Sequence, residues 1–563
     1  MSLDQTLSGS PDIALGAEAT GKAVLPRRSL WGLISISLFW IALTFHWTAL
    51  LIIIIPSHVE ALLAHSFLSS HAFDAGALND FITNNKAVTL ALVSSPGLLV
   101  ALVSNPLFGM LSDRTRGRWG RRRPYILIGV LGNVVGLMLM AIAPNILTLM
   151  LALCLVQVAN NAAAAPFHAF LPDLVNEEQR GTAAGIMGFA QILATILGAF
   201  ITGQLISIDP VVKAQSAGAV NNALATYSNQ LLMVYGVVAS LVFVLMVCTV
   251  LAVKERPWTP PERLAEEARV SWLTRYRRQV NEGAASLGLV IVVVVGAVIL
   301  LQAISGLSFD FNGPHLPQAS SAQAASDAAQ HANIAINAVL LVVLIIVAFW
   351  AARFFDFRPR RDKDFAWVVG TRLLMMLGIN TVQAFLQYYF HDVLGSNDQE
   401  KQVANFIIVL TLTAALTTFF GGWLSTRFGR KRMVYLSGGL MTAVAGIFIA
   451  DNFLAAAGTI SQISAINIAT LGGAIFGLGY GAYLSVDWAL VADVLPNHKN
   501  FARDMGVWNI ALTLPQVVAF VLGSVLLSLP FEAPIRYTFL FVAFVLYCLA
   551  GTVTVRYIKA VKR

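Results

Sequence analysis

Fourteen apolar runs, each long enough to cross a bilayer, recur along this 563-residue chain. Hydrocarbon cannot hydrogen-bond a peptide group, so a segment of about 20 apolar residues between polar loops has one stable form, a spanning α-helix. The runs lie near residues 31–55, 87–111, 124–143, 146–170, 182–207, 230–253, 286–309, 335–352, 366–390, 404–424, 433–451, 467–492, 505–528 and 537–558. Charged residues make up 12% of the chain against 57% hydrophobic, about half the charged share of a soluble protein. The sequence therefore specifies an all-α membrane protein with fourteen spans.

Lysine and arginine fix the orientation, because basic loops are retained on the cytoplasmic side. Alternation of the fourteen spans puts 33 of the 37 on one side and leaves Lys86, Lys213, Lys401 and Arg536 on the other. Both termini are expected to be cytoplasmic, in a bacterial inner membrane. The net charge of +8 follows from this topology and calls for no nucleic acid. The first 25 residues lack the basic start and short apolar core of a signal peptide, so residues 1–28 read as a retained cytosolic tail. Cys154, Cys248 and Cys548 each sit inside an apolar run and read as small hydrophobes, with no disulfide framework and no metal spacing.

The chain repeats itself. "GMLSDRTRGRWGRRRPY", residues 109–125, packs six arginines into ten positions between the second and third runs, and "GGWLSTRFGRKRM", residues 421–433, joins two later runs in the same way. Gly109, Ser112, Arg114, Gly120 and Arg121 align with Gly422, Ser425, Arg427, Gly429 and Arg430 once the four extra residues Thr115 to Arg118 are set aside. "AFLPDLVNEEQRGTAAGIMG" is loosely echoed by "ALVADVLPNHKNFARDMGVWN". Two parallel six-helix halves are the sequence signature of a rocking-bundle transporter, with the substrate near mid-membrane between them. The halves read as 29–253 and 366–563. The linker, 254–365, holds a surface amphipathic segment and the two runs at 286–309 and 335–352, an inserted two-helix hairpin.

Twelve core spans with duplicated basic loops resemble the major facilitator superfamily. The first loop, with its added Thr-Arg-Gly-Arg and Pro124, is similar to the glycoside-pentoside-hexuronide cation symporters and sucrose transporters, as is "VANNAAAAPFHAFLPDL". The resemblance implies the major facilitator fold and sugar-cation symport. It also implies a cytoplasmic gate in which the loop acid, here Asp113, pairs with helix-end arginines, Arg114 and Arg121, and with Asp173; Thr426 takes the acid's place in the second copy. Several positions depart from the family. Gln157 stands where plant sucrose transporters carry a proton-binding aspartate, no arginine lies between Thr182 and Ser207, and no acid lies within 87–111. Sodium coupling at the family site is not expected, and a proton must use another group.

Polar stripes inside apolar helices mark a cavity, since lipid does not tolerate them. Gln157, Asn160, Asn161, Ala164, Ala165 and His168 share one helical face, as do Gln191, Thr195, Gly198 and Thr202. Asn380, Gln383, Gln387 and His391 form a third stripe, and Asn509, Thr513 and Gln516 a fourth. Neutral amides suit a polyhydroxylated, uncharged ligand, with Trp47, Tyr388 and Trp508 as stacking surfaces for a sugar ring. Asp487, alone in its run, is the first candidate for proton coupling, and His46, with an imidazole of ordinary pKa near neutrality, is the second. Arg372 either pairs with an acid or snorkels inward, and His58 and Glu60 read as interfacial. No Ser/His/Asp set or phosphate loop points to an enzyme, and no cofactor or metal is expected. A monomeric proton-coupled disaccharide symporter, for sucrose or maltose, is the leading reading. A drug or lipid exporter is the alternative, prompted by Met375 and Met376.

Overall fold

The computed structural model describes residues 27–115, 119–120, 122–168, 174–176, 179–253, 308–310, 313–315, 338–339, 342–343, 345–346, 359–494 and 501–559. Among these, twelve helices are long and apolar enough to cross a membrane. In chain order they are α1 (Leu30–Ser70), α2 (Ala75–Arg114), α3 (Arg123–Ala141), α4 (Ile146–His168), α5 (Arg180–Leu205) and α6 (Ala217–Ala252). The second six are α7 (Lys363–Asp392), α8 (Gln399–Phe428), α9 (Arg430–Ala456), α10 (Gln462–Val494), α11 (Phe501–Leu527) and α12 (Ala533–Thr554). The described count is therefore twelve rather than fourteen. The inserted spans at 286–309 and 335–352 lie almost wholly outside the described residues. A two-stranded antiparallel ribbon, β1 (Ser308–Asp310) with β2 (Gly313–His315), takes the last two positions of the first of those runs, 308 and 309, as strand.

Several helices outrun their apolar runs, and in α2 and α6 a side-chain cap sets the start. Asp74 accepts from the backbone N–H of Gly76 (2.7 Å) and Ala77 (3.1 Å), so α2 starts twelve residues before the run at 87. Ser216 caps α6 at Ala219 N (3.2 Å) in the same way. The largest extension is in α1, which continues to Ser70 after a π-helical turn over Ala49–Ile54. There Ile55 N–H reaches back to Leu50 O. Pro56 follows, and having no N–H it leaves the Ile52 carbonyl without its usual donor one turn on.

The two halves pack alike. In the first, α3 lies on α4, α2 on α4, α1 on α5, α1 on α6 and α3 on α6; in the second, α9 lies on α10, α8 on α10, α7 on α11, α7 on α12 and α9 on α12. Each pairing maps onto its counterpart by adding six to the helix number. The halves meet where α2 packs on α11 and α5 on α8, and where the π-turn of α1 touches α7. The basic loops repeat as well. Gly120 and Gly429, aligned by sequence, both adopt a left-handed φ, 92° and 91°, which a side chain would strain. Outward-facing Phe189, Phe419, Ile128 and Leu416 are exposed and supply the apolar jacket a bilayer requires.

Small residues set the spacing inside each half. A Cβ on Gly129 of α3 would lie 2.6 Å from the Ala159 carbonyl oxygen and 2.6 Å from the Ala163 nitrogen on α4. Gly236 of α6 has open space at the same distance. Gly129→Val is expected to destabilise the first half by roughly 1–3 kcal/mol. Thermal unfolding in detergent checks this: its midpoint should fall for Gly129→Val and stay near wild type for Gly236→Val.

Candidate functional site

A cavity of about 180 Å³ lies between the halves. Trp47, Thr48, Leu51 and Ile52 of α1 line it from one side; Asn380, Gln383 and Ala384 of α7 and Gln516 and Phe520 of α11 line it from the other. The i, i+3, i+4 spacing on α7 puts both of its amides on the wall. Asn380 is steadied by donating Nδ2 to its own Met376 carbonyl (2.7 Å). The wall offers three neutral amides, a threonine hydroxyl and an indole, which together donate to and accept from an uncharged ligand.

The other sequence candidates lie elsewhere. Asn105 donates to Asn161 Oδ1 (2.9 Å), Asn161 donates to the Gln157 carbonyl (2.8 Å), and Asn133 donates to Asn160 Oδ1 (3.3 Å). These amides tie α2, α3 and α4 together inside the first half, with Gln157, Asn160 and Asn161 all buried. Gln191 is exposed on α5, and Gly198 sits against α1 at Phe45 and Thr48. Asn509 lies on α11, with its side chain outside the described residues. Two expected sugar platforms carry cations instead. The Arg372 guanidinium lies 3.9 Å from the centre of the Trp508 ring, and Lys86 Nζ lies 4.7 Å from that of Tyr388. Met375 is buried against Gly551 of α12 and does not line the cavity.

Asp487 is not alone. Arg372 Nη1 of α7 pairs with its Oδ2, and Tyr483 OH donates to Oδ1 (2.9 Å), all within the second half. His46 is fully buried on α1 beside Trp47, and neither ring nitrogen has a partner among the described residues. Of the gate candidates, Asp113 and Arg114 end α2 with side chains outside the described residues, and Arg121 and Asp173 also lie outside them. On the same end of the molecule, Arg28 donates Nε to the Leu174 carbonyl (2.9 Å) and exchanges two hydrogen bonds with Gln179.

The opposite end holds a charged seam that the sequence reading missed. His58 and Glu60 are not interfacial: both are buried, Glu60 to 1% exposure. Lys86 of α2, 2% exposed, lies 3.2 Å from Glu60 Oε1 and donates to Asp392 Oδ1 of α7 at 2.5 Å. Tyr537 of α12 and His391 also bond Asp392, at 2.9 Å and 3.0 Å. Gln399 donates to Glu60 Oε2 (2.8 Å), and Tyr388 OH donates to the Pro56 carbonyl (3.3 Å). Ser57 Oγ lies 2.7 Å from Glu400 Oε1, which also accepts from Ile208 N (3.0 Å). Lys213 bonds Asn397 and lies 3.5 Å from Asp209. Each of these contacts except those within α7 to α12 or between Lys213 and Asp209 ties one half to the other or braces a residue that does. A signal was present. Lys86, Lys213 and Arg536 are three of the four basic residues that broke the charge asymmetry, and all three are engaged, Arg536 by donating to the Leu527 carbonyl (3.0 Å).

Comparison with known proteins agrees with this architecture. Residues 78–353 match the family model described as MFS/sugar transport protein, and residues 368–560 match that of the Major Facilitator Superfamily. The chain belongs to the major facilitator superfamily. Within it, a stretch of 121 residues is 32% identical to human Solute carrier family 45 member 4, covering 19% of this chain and 16% of that protein. A stretch of 125 residues is 30% identical to Sucrose transport protein SUC4 of Arabidopsis thaliana, covering 19% of this chain and 24% of that protein. The match thus spans a quarter or less of these relatives. Among solved structures, a peptide transporter POT bound to sulfate superposes with a TM-score of 0.59 at 15% identity, covering 96% of this chain and 98% of that one. The nucleoside transporter NupG gives 0.52 at 10% identity, covering 93% and 98%. These two show the shared fold.

Lys86 holds two carboxylates that no solvent compensates. Lys86→Met should therefore cost about 3–5 kcal/mol, and adding Asp392→Asn should recover a large part of it by removing one stranded charge. Thermal unfolding of the single and double variants in detergent measures both effects.

Proposed function

We propose that this transporter is a proton-coupled sugar symporter that works by alternating access on a disaccharide such as sucrose or maltose. The observation that carries the reading is the cavity between the halves, whose polar wall consists of neutral groups: Asn380, Gln383, Gln516 and Thr48, with Trp47 beside them. A sugar presents hydroxyls that both donate and accept and a ring face that stacks on an indole. A carboxylate or an amine ligand would ask for a charge on that wall. The sucrose transport protein among the relatives and the sugar transport family model that matches residues 78–353 support the same reading.

The cavity is smaller than the roughly 300 Å³ at the lower end of common ligand pockets. In the closed arrangement it takes one ring, and the rest of a disaccharide enters as the halves part. The charged seam is then the outer door, closed here, and the arginine-rich loops lie on the cytoplasmic side with both termini. Residues 29–253 and 366–563 form the moving halves, 254–365 the linker with its inserted hairpin. The protein acts as a monomer in a bacterial inner membrane. Asp487 serves coupling by exchanging its proton as Arg372 approaches and withdraws, with His46 beside the sugar site.

Uptake of labelled sucrose and maltose into proteoliposomes under an imposed pH or sodium gradient tests this. Accumulation should follow the pH gradient; accumulation driven only by sodium, or none of either sugar, overturns the reading. Asn380→Ala and Gln383→Ala should each raise KM by up to about tenfold, the worth of one good hydrogen bond. Asp487→Asn should abolish gradient-driven accumulation while leaving sugar exchange.

A further inference from the structure

Hydrogen atoms in the seam can be counted, and the count requires one that the usual charge states do not provide. Gln387 of α7 reaches across to α1, where its amide faces the carbonyls of Ile52 and Ile53 on one side and Ser57 Oγ on the other. Two carbonyls demand the NH2 group. With nitrogen toward them, Gln387 donates to Ile52 O and Ile53 O at 3.1 Å each and accepts from Ser57 Oγ at 2.5 Å. Pro56, having no N–H, cannot supply Ile52 O in the α-helical manner, and the Gln387 amide brings a donor to it from the other half.

Ser57 has a single hydroxyl hydrogen, and Gln387 takes it. Yet Ser57 Oγ lies 2.7 Å from Glu400 Oε1, a contact that between two bare acceptors would be repulsive. We propose that Glu400 is a proton-binding site built into the seam, a neutral carboxylic acid that donates to Ser57 while the halves are closed on this face and gives up its proton when they part. Oε1 keeps its acceptor role toward Ile208 N (3.0 Å), and Oε2 has no partner among the described residues. Glu400 is 1% exposed, so an ionised carboxylate here would be desolvated, with the backbone N–H groups of Ile208 and of Glu400 itself as donors.

The surrounding charges agree. Glu60 of α1 is the nearest acid, joined to the start of α8 through Gln399, and Asp392 of α7 lies beyond it. Lys86 of α2 is shared between those two and His391 lies against Asp392, and among the described residues neither pairs with Glu400. Asp209, next to Ile208, is served by Lys213. From α6, the Tyr227 hydroxyl lies within electrostatic reach of Glu60 and Glu400, and Tyr235 is bonded to His58 (3.3 Å). The bonds from Ser57 and Ile208 of the first half to Gln387 and Glu400 of the second cross the interface. Parting the halves breaks these together and admits water, which stabilises the ionised form.

The inference uses the alternating closure proposed above and not the sugar, so its readout is a distance rather than uptake. Spin labels on Ala72→Cys and Ala457→Cys, exposed on this face in opposite halves, report the opening, in a background of Cys154→Ala and Cys248→Ser. Raising the pH of the protein in lipid nanodiscs should shift the distance distribution from short to long. Glu400→Gln, which keeps a donor facing Ser57, should hold it short at every pH. Ser57→Ala should move the wild-type midpoint down by about one pH unit, as closure loses a hydrogen bond. Infrared difference spectra between the two pH limits should show a protonated carboxylic acid band in the wild type. In an Asp487→Asn background, which removes the other proposed proton site, that band should be missing from Glu400→Gln, a readout that needs only folded protein. A wild-type distance that ignores pH, an unchanged response in Glu400→Gln, closure produced by added sodium at fixed pH, or an acid band that survives Glu400→Gln in the Asp487→Asn background would each overturn the assignment.

Discussion

Lipid offers a polar atom no partner, and everything distinctive about this molecule follows from where it sends such atoms. Backbone groups close on themselves in helices. Polar side chains must turn inward, and inside there are three kinds of place for them: seams within a half, the cavity between halves, and the interface that seals it. Asn133, Asn160, Asn161 and Asn105 take the first and act as glue between α2, α3 and α4. Asn380, Gln383 and Gln516 take the second. Lys86 and its carboxylates take the third, where breaking contact exposes charges to water and making contact strips water away. A door of this kind has two defined states and little between them, because a half-hydrated ion pair has neither full solvation nor full pairing.

The fold was legible in the sequence because the bilayer imposes a length and a polarity that few residues can satisfy. Twelve described helices answer twelve of the apolar runs, and the duplicated loop foretold both the repeat and the matching left-handed glycines Gly120 and Gly429. Helix ends were less legible. The run beginning at 31 was cut at 55 because Pro56, His58 and Glu60 follow, and by composition alone they read as the water's edge. They remain buried because Tyr235, Lys86 and Gln399 meet them from other helices, partners far apart in the chain.

The site was legible only in part, for the same reason. Amides on α4 and on α7 carry the same helical spacing, and periodicity says which residues share a face without saying what the face meets. Those on α4 meet other helices of their own half, and those on α7 meet the opposite half across a cavity. Aromatic rings were misassigned likewise. Trp508 and Tyr388 looked like sugar platforms, but each lies under a cation that is also paired with carboxylates, Arg372 and Lys86. One exception to a rule held more information than its instances: Lys86, a basic residue on the wrong side for topology, is buried in the seam.

Comparing the halves shows where duplication gave way to function. The helix pair α1 and α4 meets through rings, Phe39 edge-on to Phe167 at 5.0 Å. The corresponding pair, α7 and α10, meets through Arg372 and Asp487. An apolar contact and a buried ion pair can hold two helices about equally well, since the Coulomb attraction of the pair is largely offset by the desolvation of both ions. Stability therefore does not account for the charges. What an ion pair has and two phenyl rings lack is a protonation state, which is the property the proposed coupling would use. The same holds at the seam. There Pro56 and the π-turn of α1 leave carbonyls for Gln387 to satisfy, while no proline interrupts the intact α7. In a symmetric molecule the two end states would be equivalent. Polar chemistry concentrated at two unlike points makes them unequal, and under the proposed coupling it is at such points that a bound proton would bias one state over the other.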